Sequence, residues 1–306
     1  MPARFHNPVD TRFGWGSLEA LDALTEDQDV ALVTFPEARA LGLVERIREL
    51  LGKRLVYVIE DVQPNPDVAH LRDTYERFWQ HAGHCQTVLA VGGGSAIDTA
   101  KALIVGTESG RFDELLGLLA SGKPFVPARC KALIAAPTTA GTGSEVTPWA
   151  TIWDTAAQKK YSLHLECTWP KVAIIDPQLM LTVPAGVTVS TGLDALSHAL
   201  ESIWNVNANP ISDTFAMAAI ADILDCLPRL LRDLSSQELR TRMALAALKV
   251  VALCICLASG WLGGAIFPLL MAGGSAGLVS MALWPSIPAA VALAAGMSAA
   301  ATVGIG

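Results

Sequence analysis

A short apolar segment that leads straight into three glycines constrains the fold of this chain most. Thr87–Val91 has the sequence TVLAV, and Gly92, Gly93, Gly94 and Ser95 follow it before the helix-like stretch AIDTAK. This order predicts a buried strand, a glycine turn and a helix. Glycines let the backbone approach a ligand closely, and the start of a helix offers free N–H groups to an anion. The segment predicts a phosphate-binding loop, with an ordinary strand–helix turn as the alternative.

The first 185 residues alternate short apolar runs with helical patterns. Helical periodicity covers Glu37–Leu51 and Val68–His81. Such alternation favours a parallel sheet covered by helices on both faces, so we expect a Rossmann-like α/β domain over residues 1–185. Five apolar runs predict its strands: Asp29–Thr34, Arg54–Ile59, Thr87–Val91, Ala132–Ala136 and Val172–Ile175.

After this domain the pattern becomes helical. Ser190–Ile203 and Ile211–Leu234 are helix candidates, and we expect the second to be kinked or broken at Pro228. Ser235–Glu238 forms a capping-box pattern that opens a third helix. We therefore expect residues 186–249 to be the start of an all-helical, metal-binding domain.

The last 57 residues, 250–306, contain no Asp, Glu, Lys, Arg or His. An average globular segment carries about a quarter charged residues, so position 249 marks a compositional boundary. A helix needs about 20 apolar residues to cross a bilayer, and Val250–Leu283 has that length. The pattern predicts an apolar, membrane-like helical tail, with a soluble, fully buried helical core as the alternative.

Two glycine-rich motifs in this tail, SGWLGGAIFP (259–268) and AGGSAG (272–277), resemble part of the chloride channel family. The resemblance implies membrane association of residues 250–306. A complete channel needs many more spans than this tail offers. It therefore implies a segment joined near Lys249, either by natural fusion or by a shift of reading frame.

The charges and cysteines exclude several classes of protein. The chain has 22 Lys and Arg against 29 Asp and Glu and no basic stripe, which excludes nucleic-acid binding. Its six cysteines form no CxxC pair, which argues against a structural zinc site or disulfide framework and favours reduced, buried cysteines. The amino terminus lacks an apolar signal core, so we expect residues 1–249 to be cytoplasmic.

A second polar loop follows the predicted strand ALIAA. Residues 137–147 have the sequence PTTAGTGSEVT, in which small and hydroxyl-bearing side chains predominate. The carboxyl ends of parallel strands are where α/β sheets bind ligands. We therefore expect this loop and the glycine loop to face one crevice.

Four motifs together resemble the iron-containing, or group III, alcohol dehydrogenase family. They are GGGSAIDTAK (92–101), PTTAGTGSEVT (137–147), AIIDPQL (173–179) and STGLDALSHALES (190–202). The resemblance runs from about Phe13 to Lys249. It implies a Rossmann-like domain, a helical domain and a cleft between them, with hydride transfer between NAD(P) and an alcohol or aldehyde at one metal ion. Dehydroquinate synthase-like lyases share this architecture, but the second and fourth motifs favour the dehydrogenases.

The resemblance also assigns cofactor-binding residues. By position, Gly93, Gly94 and Ser95 would hold the pyrophosphate, and Lys160 would lie near the nicotinamide ribose. Four further side chains would line the cofactor cleft: Thr138, Thr139, Thr142 and Ser144. No catalytic residue is assigned.

Three further residues near these motifs bear on the cofactor. Asp98 has two interpretations, since it either complements the dipole at the start of the helix or points at the cofactor. Lys101 is interpreted as a solvated helix residue. Many NAD-preferring members have an acid just after the second strand, and Phe35 stands at that position here. The cofactor is therefore expected to be NAD(P)H, with NADP a candidate beside NAD.

Within the family, three segments are similar to the phosphonoacetaldehyde reductase branch: Ile152–Asp154, Lys159–Leu163 and Asn209–Asp213. That branch reduces phosphonoacetaldehyde to 2-hydroxyethylphosphonate. The expected substrate is thus a small aldehyde or alcohol, here a phosphonate. Lys159 is a candidate to bind its charge, and a solvated loop lysine is the alternative. Homo-oligomer formation stays open at this stage.

Asp194 and His198 are four residues apart on a predicted helix and so share one face. They fall where the family's first two metal ligands lie, and oxygen and imidazole ligands suit Fe²⁺ or Zn²⁺. The family takes two further histidines from later helices, but no histidine follows His198 here. Catalytic sites typically use three protein ligands. We therefore expect a weakly held metal and little reductase activity from this chain.

Overall fold

The computed structural model describes residues 6–205 and 208–257, and it describes side chains through residue 250. The strands of the described part are β1 (Asp10–Phe13), β2 (Val30–Thr34), β3 (Leu55–Ile59), β4 (Thr87–Gly92), β5 (Val105–Gly106), β6 (Arg129–Cys130), β7 (Ala132–Pro137), β8 (Trp149–Asp154), β9 (Lys159–His164) and β10 (Val172–Ile175). The α-helices are α1 (Leu21–Thr25), α2 (Leu43–Leu51), α3 (Val68–His81), α4 (Gly94–Ile104), α5 (Phe112–Ala120), α6 (Ala185–Ile203), α7 (Pro210–Leu230) and α8 (Gln237–Leu257).

Six strands form one parallel sheet in the order β1-β10-β7-β4-β2-β3. Every residue of β2 and β4 is buried, because helices cover both faces of the sheet. The predicted parallel α/β architecture is therefore confirmed. The chain places β3 on one side of β2 and then returns to place β4 on the other side. This reversal opens a crevice at the carboxyl ends of β2 and β4.

All five predicted strands are present, with small differences at their ends. The edge strand β1 was missed because its sequence, DTRF, has no apolar run, and its pairing with β10 supplies the strand conformation. The antiparallel hairpin of β8 and β9 was also missed. The helical pattern Glu37–Leu51 divides into a 3-10 turn and α2, because Gly42 adopts a left-handed conformation between them.

The three long helices α6, α7 and α8 pack on one another around a shared apolar cluster that includes Ala199, Ile223 and Met243. α7 continues through Pro228 and ends at Leu230, four residues before its predicted end. The helix is therefore not broken at Pro228 but ends two residues after it. Helix α8 begins at Gln237, and Ser236 Oγ accepts a 3.4 Å hydrogen bond from the Leu239 N–H. The cap thus lies one residue after Ser235, which the capping-box pattern pairs with Glu238.

Helix α8 crosses position 249, where the sequence places a boundary. Val250 is only 1% exposed and packs in the same cluster as α6 and α7. Lys249 binds Asp222 of α7 at 2.6 Å. Residues 250–257 thus continue this helix, while residues 258–306, which carry most of the predicted membrane-like tail and the chloride channel resemblance, lie outside the described residues. Among the helices that the structure describes, none has the length and apolarity that crossing a bilayer requires.

The helical layer contacts the sheet at the carboxyl ends of its strands. Ala244 of α8 packs with Ile175, the last residue of β10, and with Met180. Trp15 Nε1 donates a 2.6 Å hydrogen bond to Thr241 Oγ1 of α8. The sheet edge that carries the polar loops therefore faces the helices across a cleft.

Four of the cysteines have described side chains. Cys85 and Cys226 are buried, as expected, but Cys130 is exposed and Cys167 is half-buried. The expectation of buried cysteines was therefore wrong for these two, because both lie in short connecting segments at the surface of the sheet.

Candidate dinucleotide and metal site

The two polar loops leave the sheet side by side. β4 and β7 are neighbouring parallel strands in which Gly92 pairs with Pro137. The Thr138 N–H donates a 2.9 Å hydrogen bond to the Gly92 carbonyl, which continues the pairing beyond the strands. The two loops therefore lie beside each other at one edge of the sheet, as predicted.

The glycines allow these loops to touch. A Cβ atom on Gly94 would lie 2.8 Å from both Cγ2 and Oγ1 of Thr142. A Cβ atom on Gly141 would lie 2.6 Å from the carbonyl oxygen of Thr191 in α6. Larger residues at these positions would push the second loop away from the glycine loop and from the helical layer.

The start of α4 is open to a ligand. Gly93 is its N-cap and provides no capping side chain, and no acidic residue lies in the first turn. The first N–H groups of a helix have no partner within the helix, so they are available to an anion. A pyrophosphate therefore fits here on geometry and on charge.

Asp98 and Ser144 are joined to each other. Ser144 Oγ donates a 2.6 Å hydrogen bond to Asp98 Oδ1, and the Thr151 N–H donates to Asp98 Oδ2 at 2.9 Å. Burial raises the pKa of Asp98, and the charge of Lys101 opposes that rise. Both side chains tie α4 to the second loop and β8. The contact of either side chain with the cofactor stays a prediction. Asp98 also lies beyond the first turn of α4, so its interpretation as a partner of the helix dipole was wrong.

Lys101 is completely buried, so its interpretation as a solvated residue was wrong. Its Nζ donates to three acceptors: the Ser144 carbonyl (2.7 Å), Ser144 Oγ (2.8 Å) and the Trp149 carbonyl (2.6 Å). Burial lowers the pKa of Lys101 to about 8, although the charges of Asp98 and Glu145 oppose this. Burial raises the pKa of the neighbouring Glu145 to about 7. Polar groups under the second loop thus form a dense internal network.

The β8–β9 hairpin reaches the glycine loop through a short connecting segment. Asn65 has a left-handed conformation (φ 58°), and its N–H donates to Ser95 Oγ at 3.0 Å. The next residue, Pro66, accepts a 2.8 Å hydrogen bond from the Trp153 N–H. Lys160 pairs with Trp153 across the hairpin, and its Nζ lies 3.8 Å from the centre of a Trp153 ring. This chain of contacts sets Lys160 on the side of the cleft that carries Ser95.

Lys159 is exposed at the end of the hairpin, opposite Asp154. The turn beyond it is held by Asp67, which accepts a 2.6 Å hydrogen bond from Thr155 Oγ1. The position is accessible to solvent, as both interpretations of Lys159 require.

Phe35 directly follows β2 and is half-buried beside the glycine loop. Its Cδ1 atom would lie 3.4 Å from a Cβ atom on Gly92. An aromatic ring therefore occupies one wall of the crevice where many family members are expected to carry an acid.

A small cavity separates the second loop from the helical layer. Its lining includes the predicted cofactor residues Thr138 and Thr139 together with Thr188, Thr191 and Arg240. Arg240 is 4% exposed and donates to three neutral oxygens: Leu234 O, Thr188 Oγ1 and Val183 O. Burial lowers the pKa of Arg240. The guanidinium thus holds the start of α6 against α8 beside this cavity.

Asp194 and His198 face each other on α6, as predicted. Asp194 Oδ1 lies 3.7 Å from His198 Nε2, and Glu201 Oε2 lies 3.6 Å from His198 Nδ1. Burial lowers the pKa of His198, but the hydrogen bond to Glu201 and the charges of both acids outweigh it, so the pKa is raised overall. Burial also raises the pKa of Asp194, against the opposing effect of His198.

Family models match this sequence over nearly all of the described residues. The model for iron-containing alcohol dehydrogenases matches residues 8–177, and the model for the C-terminal part of the Fe-containing alcohol dehydrogenase family matches residues 188–259. The chain belongs to the iron-containing alcohol dehydrogenase family. The match begins before Phe13 and ends ten residues beyond Lys249, so the resemblance extends further than the sequence motifs indicated.

Curated relatives of this chain include two enzymes from Bacillus. The NAD-dependent methanol dehydrogenase of Bacillus methanolicus is 39% identical over 218 residues, which cover 70% of this chain and 55% of that enzyme. The choline dehydrogenase of Bacillus subtilis is 37% identical over 220 residues, which cover 71% of this chain and 54% of that enzyme. The chain thus spans little more than half the length of these relatives.

Among solved structures, a sulfoacetaldehyde reductase from Bifidobacterium kashiwanohense in complex with NAD⁺ is similar, with a TM-score of 0.77 and 29% identity. The match covers 96% of this chain and 74% of that reductase. This similarity supports the fold that the family models indicate.

The described residues do not complete the metal site that the family name implies. No group of three or more His, Cys, Asp or Glu side chains in the described part is arranged to hold a metal ion. Asp194 and His198 offer two donors, whereas catalytic sites typically use three protein ligands. The described residues are therefore insufficient for a catalytic metal centre.

Proposed function

We propose that this chain binds NAD(H) or NADP(H) and descends from reductases of short, anionic aldehydes, of which phosphonoacetaldehyde is the first candidate substrate, with its own turnover impaired by the missing histidine ligands. The observation that carries the proposal is the crevice between the glycine loop and the second loop, with the uncapped start of α4 on its floor. Bound dinucleotide would supply the hydride. The amides of Gly93, Gly94 and Ser95 would hold its pyrophosphate, because they combine free N–H groups with the positive end of the helix dipole.

The other predicted contacts follow the walls of this crevice. Thr138, Thr139 and Thr142 would contact the cofactor from the second loop, and Lys160 would reach its nicotinamide ribose from the hairpin. Ser144 and Asp98 would act indirectly, by fixing the second loop against α4. Phe35 leaves the adenosine ribose without a carboxylate partner, which favours acceptance of NADP beside NAD.

Two kinds of similarity support the proposed substrate. The segments at 152–154, 159–163 and 209–213 are similar to phosphonoacetaldehyde reductases, and one structural relative is a sulfoacetaldehyde reductase. Phosphonoacetaldehyde and sulfoacetaldehyde are both two-carbon aldehydes with a tetrahedral anionic group. Lys159 is an exposed cation on the hairpin that also carries Lys160, and its ammonium group would attract this anion.

A second candidate function is dinucleotide binding without turnover. It is favoured by the two-ligand metal site, since the alkoxide that develops during hydride transfer needs a stabilising cation or donor. A fused or frameshifted tail would be consistent with this candidate. The two candidates share the cofactor site and differ in the chemical step.

A turnover assay separates them. The full chain is mixed with NADH or NADPH and with phosphonoacetaldehyde, sulfoacetaldehyde or neutral acetaldehyde, in the presence of Fe²⁺, Zn²⁺ or EDTA. Metal-dependent oxidation of the cofactor with a preference for the anionic aldehydes supports the reductase. Saturable cofactor binding without oxidation supports the second candidate, and absence of binding overturns both.

A further inference from the structure

Two cysteines that are distant in sequence meet at the surface of the α/β domain. Cys130 ends β6 and is exposed, and Cys167 lies in the half-buried 3-10 turn Glu166–Thr168. Cys130 Sγ lies 3.6 Å from the carbonyl oxygen of Cys167, 37 residues away in sequence. The two thiols lie close enough to shift each other's pKa. They therefore form a vicinal dithiol that solvent can reach.

The surroundings of Cys130 and Cys167 give the two thiols different acidities. The interaction between the two thiols lowers the pKa of Cys167, with burial opposing this, and raises the pKa of Cys130, with burial adding to the rise. Cys167 is thus the thiol that ionises first. By contrast, burial raises the pKa of both Cys85 and Cys226, which leaves them unreactive inside the protein.

We propose that Cys130 and Cys167 are a redox-modification site that forms a reversible intramolecular disulfide with a low-molecular-weight disulfide as oxidant. The Cys167 thiolate attacks one sulfur of the oxidant, whose S–S bond breaks and releases one thiolate, which takes up the proton that Cys167 had lost. Cys130 then loses its proton and attacks the Cys167 sulfur of the mixed disulfide, releasing the second thiol. Two protein thiols are oxidised, and one small disulfide is reduced to two thiols.

The position of the pair decides what the bond would change. Cys130 precedes β7 and Cys167 precedes β10, and these strands are neighbours in the sheet. Both cysteines therefore lie at the amino ends of the strands, whereas the polar loops leave the carboxyl ends. A six-residue strand is about 20 Å long, so the disulfide would form far from the cofactor crevice.

Two consequences follow for the oxidised protein. Closing the 37-residue loop restricts the unfolded chain, so the melting temperature should rise by about 5–10 °C. Affinity for NADH should stay within about twofold of the reduced protein, because the crevice is untouched. The disulfide is thus a stabilising modification that is independent of the proposed reductase activity.

Peptide mapping of the full chain tests the proposal. The native protein is incubated with oxidised glutathione, the remaining thiols are alkylated, and the digest is analysed by mass spectrometry. We expect a peptide pair joined through Cys130 and Cys167 that dithiothreitol separates, while Cys85 and Cys226 are recovered alkylated after denaturation. Recovery of Cys130 and Cys167 as free thiols, or as stable glutathione adducts, would overturn the proposal.

Two conservative variants assign the order of the steps. Cys130→Ser should stop at a glutathione adduct on Cys167, and Cys167→Ser should react at Cys130 more slowly than the native protein reacts at Cys167. The melting temperature should not rise on oxidation in either variant. Equal gains in the variants would show that the stabilisation does not come from this disulfide, and the mapping of the native chain remains decisive if a variant does not fold.

Discussion

Ser144 Oγ donates a 2.6 Å hydrogen bond to Asp98 Oδ1 and accepts one of 2.8 Å from Lys101 Nζ. A single hydroxyl thus joins the second loop to two side chains of α4, the helix that begins at the glycine loop. The relative position of the two loops depends on this buried contact as well as on the pairing of β4 with β7. Contacts between side chains of α4 and the second loop therefore help to hold the two loops together.

Replacing Ser144 with alanine should destabilise the protein. The change leaves Asp98 without one donor and Lys101 without one acceptor, and unpaired buried polar groups cost about 1–3 kcal/mol in the free energy of unfolding. Urea denaturation measures the loss. Ser162→Ala on the exposed side of the hairpin is the control and should change stability by less than about 0.5 kcal/mol. Equal effects of the two variants would contradict a special role for Ser144.

Gly94→Ala should weaken NADH binding about tenfold. Its new Cβ atom would lie 2.8 Å from Thr142, so the two loops must separate. Calorimetric titration with NADH measures the loss, and the double variant Gly94→Ala, Thr142→Ala should recover part of it. Gly117→Ala is a matched control in α5, where no atom lies within 4 Å of the added Cβ, and it should bind NADH normally. Normal binding by Gly94→Ala would show that the loop contact is unimportant.

Phe35→Asp should shift cofactor preference towards NADH. A carboxylate after β2 can accept hydrogen bonds from the adenosine ribose of NADH and repels the 2′-phosphate of NADPH. We expect the ratio of the NADPH and NADH dissociation constants to rise about tenfold. Phe35→Asn is the control, because asparagine has nearly the same shape as aspartate but no charge. It should shift the ratio of the dissociation constants less. An unchanged ratio in Phe35→Asp would show that the adenosine ribose does not bind beside residue 35.

Glu145 should make the protein less stable as the pH rises from about 4.5 to about 7. Burial raises its pKa from 4.5 to about 7, so the folded protein keeps a proton that the unfolded chain has already released in this range. Stability falls with pH wherever the folded state binds more protons. Urea denaturation at several pH values should show a shallower decline for Glu145→Gln than for the native protein. The exposed variant Glu37→Gln should follow the native curve, and parallel curves for all three proteins would refute the assignment.

The sequence predicted the central architecture well because its signals are local. The apolar strands, the glycine loop and the Asp194–His198 pair each depend on spacing within one element. The second loop was placed correctly because parallel strands end at one edge. The resemblance to the family then assigned these elements to an α/β domain and a helical domain.

The internal networks could not be predicted, because they depend on contacts across the fold. Lys101 has the pattern of a solvated helix residue, and only the packing of the second loop over α4 buries it. Asn65 and Arg240 were overlooked for the same reason, although the Pro-Asn-Pro sequence around Asn65 signals a turn. Cys130 and Cys167 are far apart in the chain and carry no spacing motif.

The claim that this chain binds a dinucleotide is tested most directly by titrating the full chain with NADH. Nicotinamide fluorescence monitors the binding, with and without Fe²⁺ or Zn²⁺. The account predicts saturable binding of one NADH per chain, with a dissociation constant that changes less than about twofold when EDTA replaces the metal, because the crevice is complete without Asp194 and His198. Absence of saturable binding by a chain whose circular dichroism shows a folded α/β protein would contradict it.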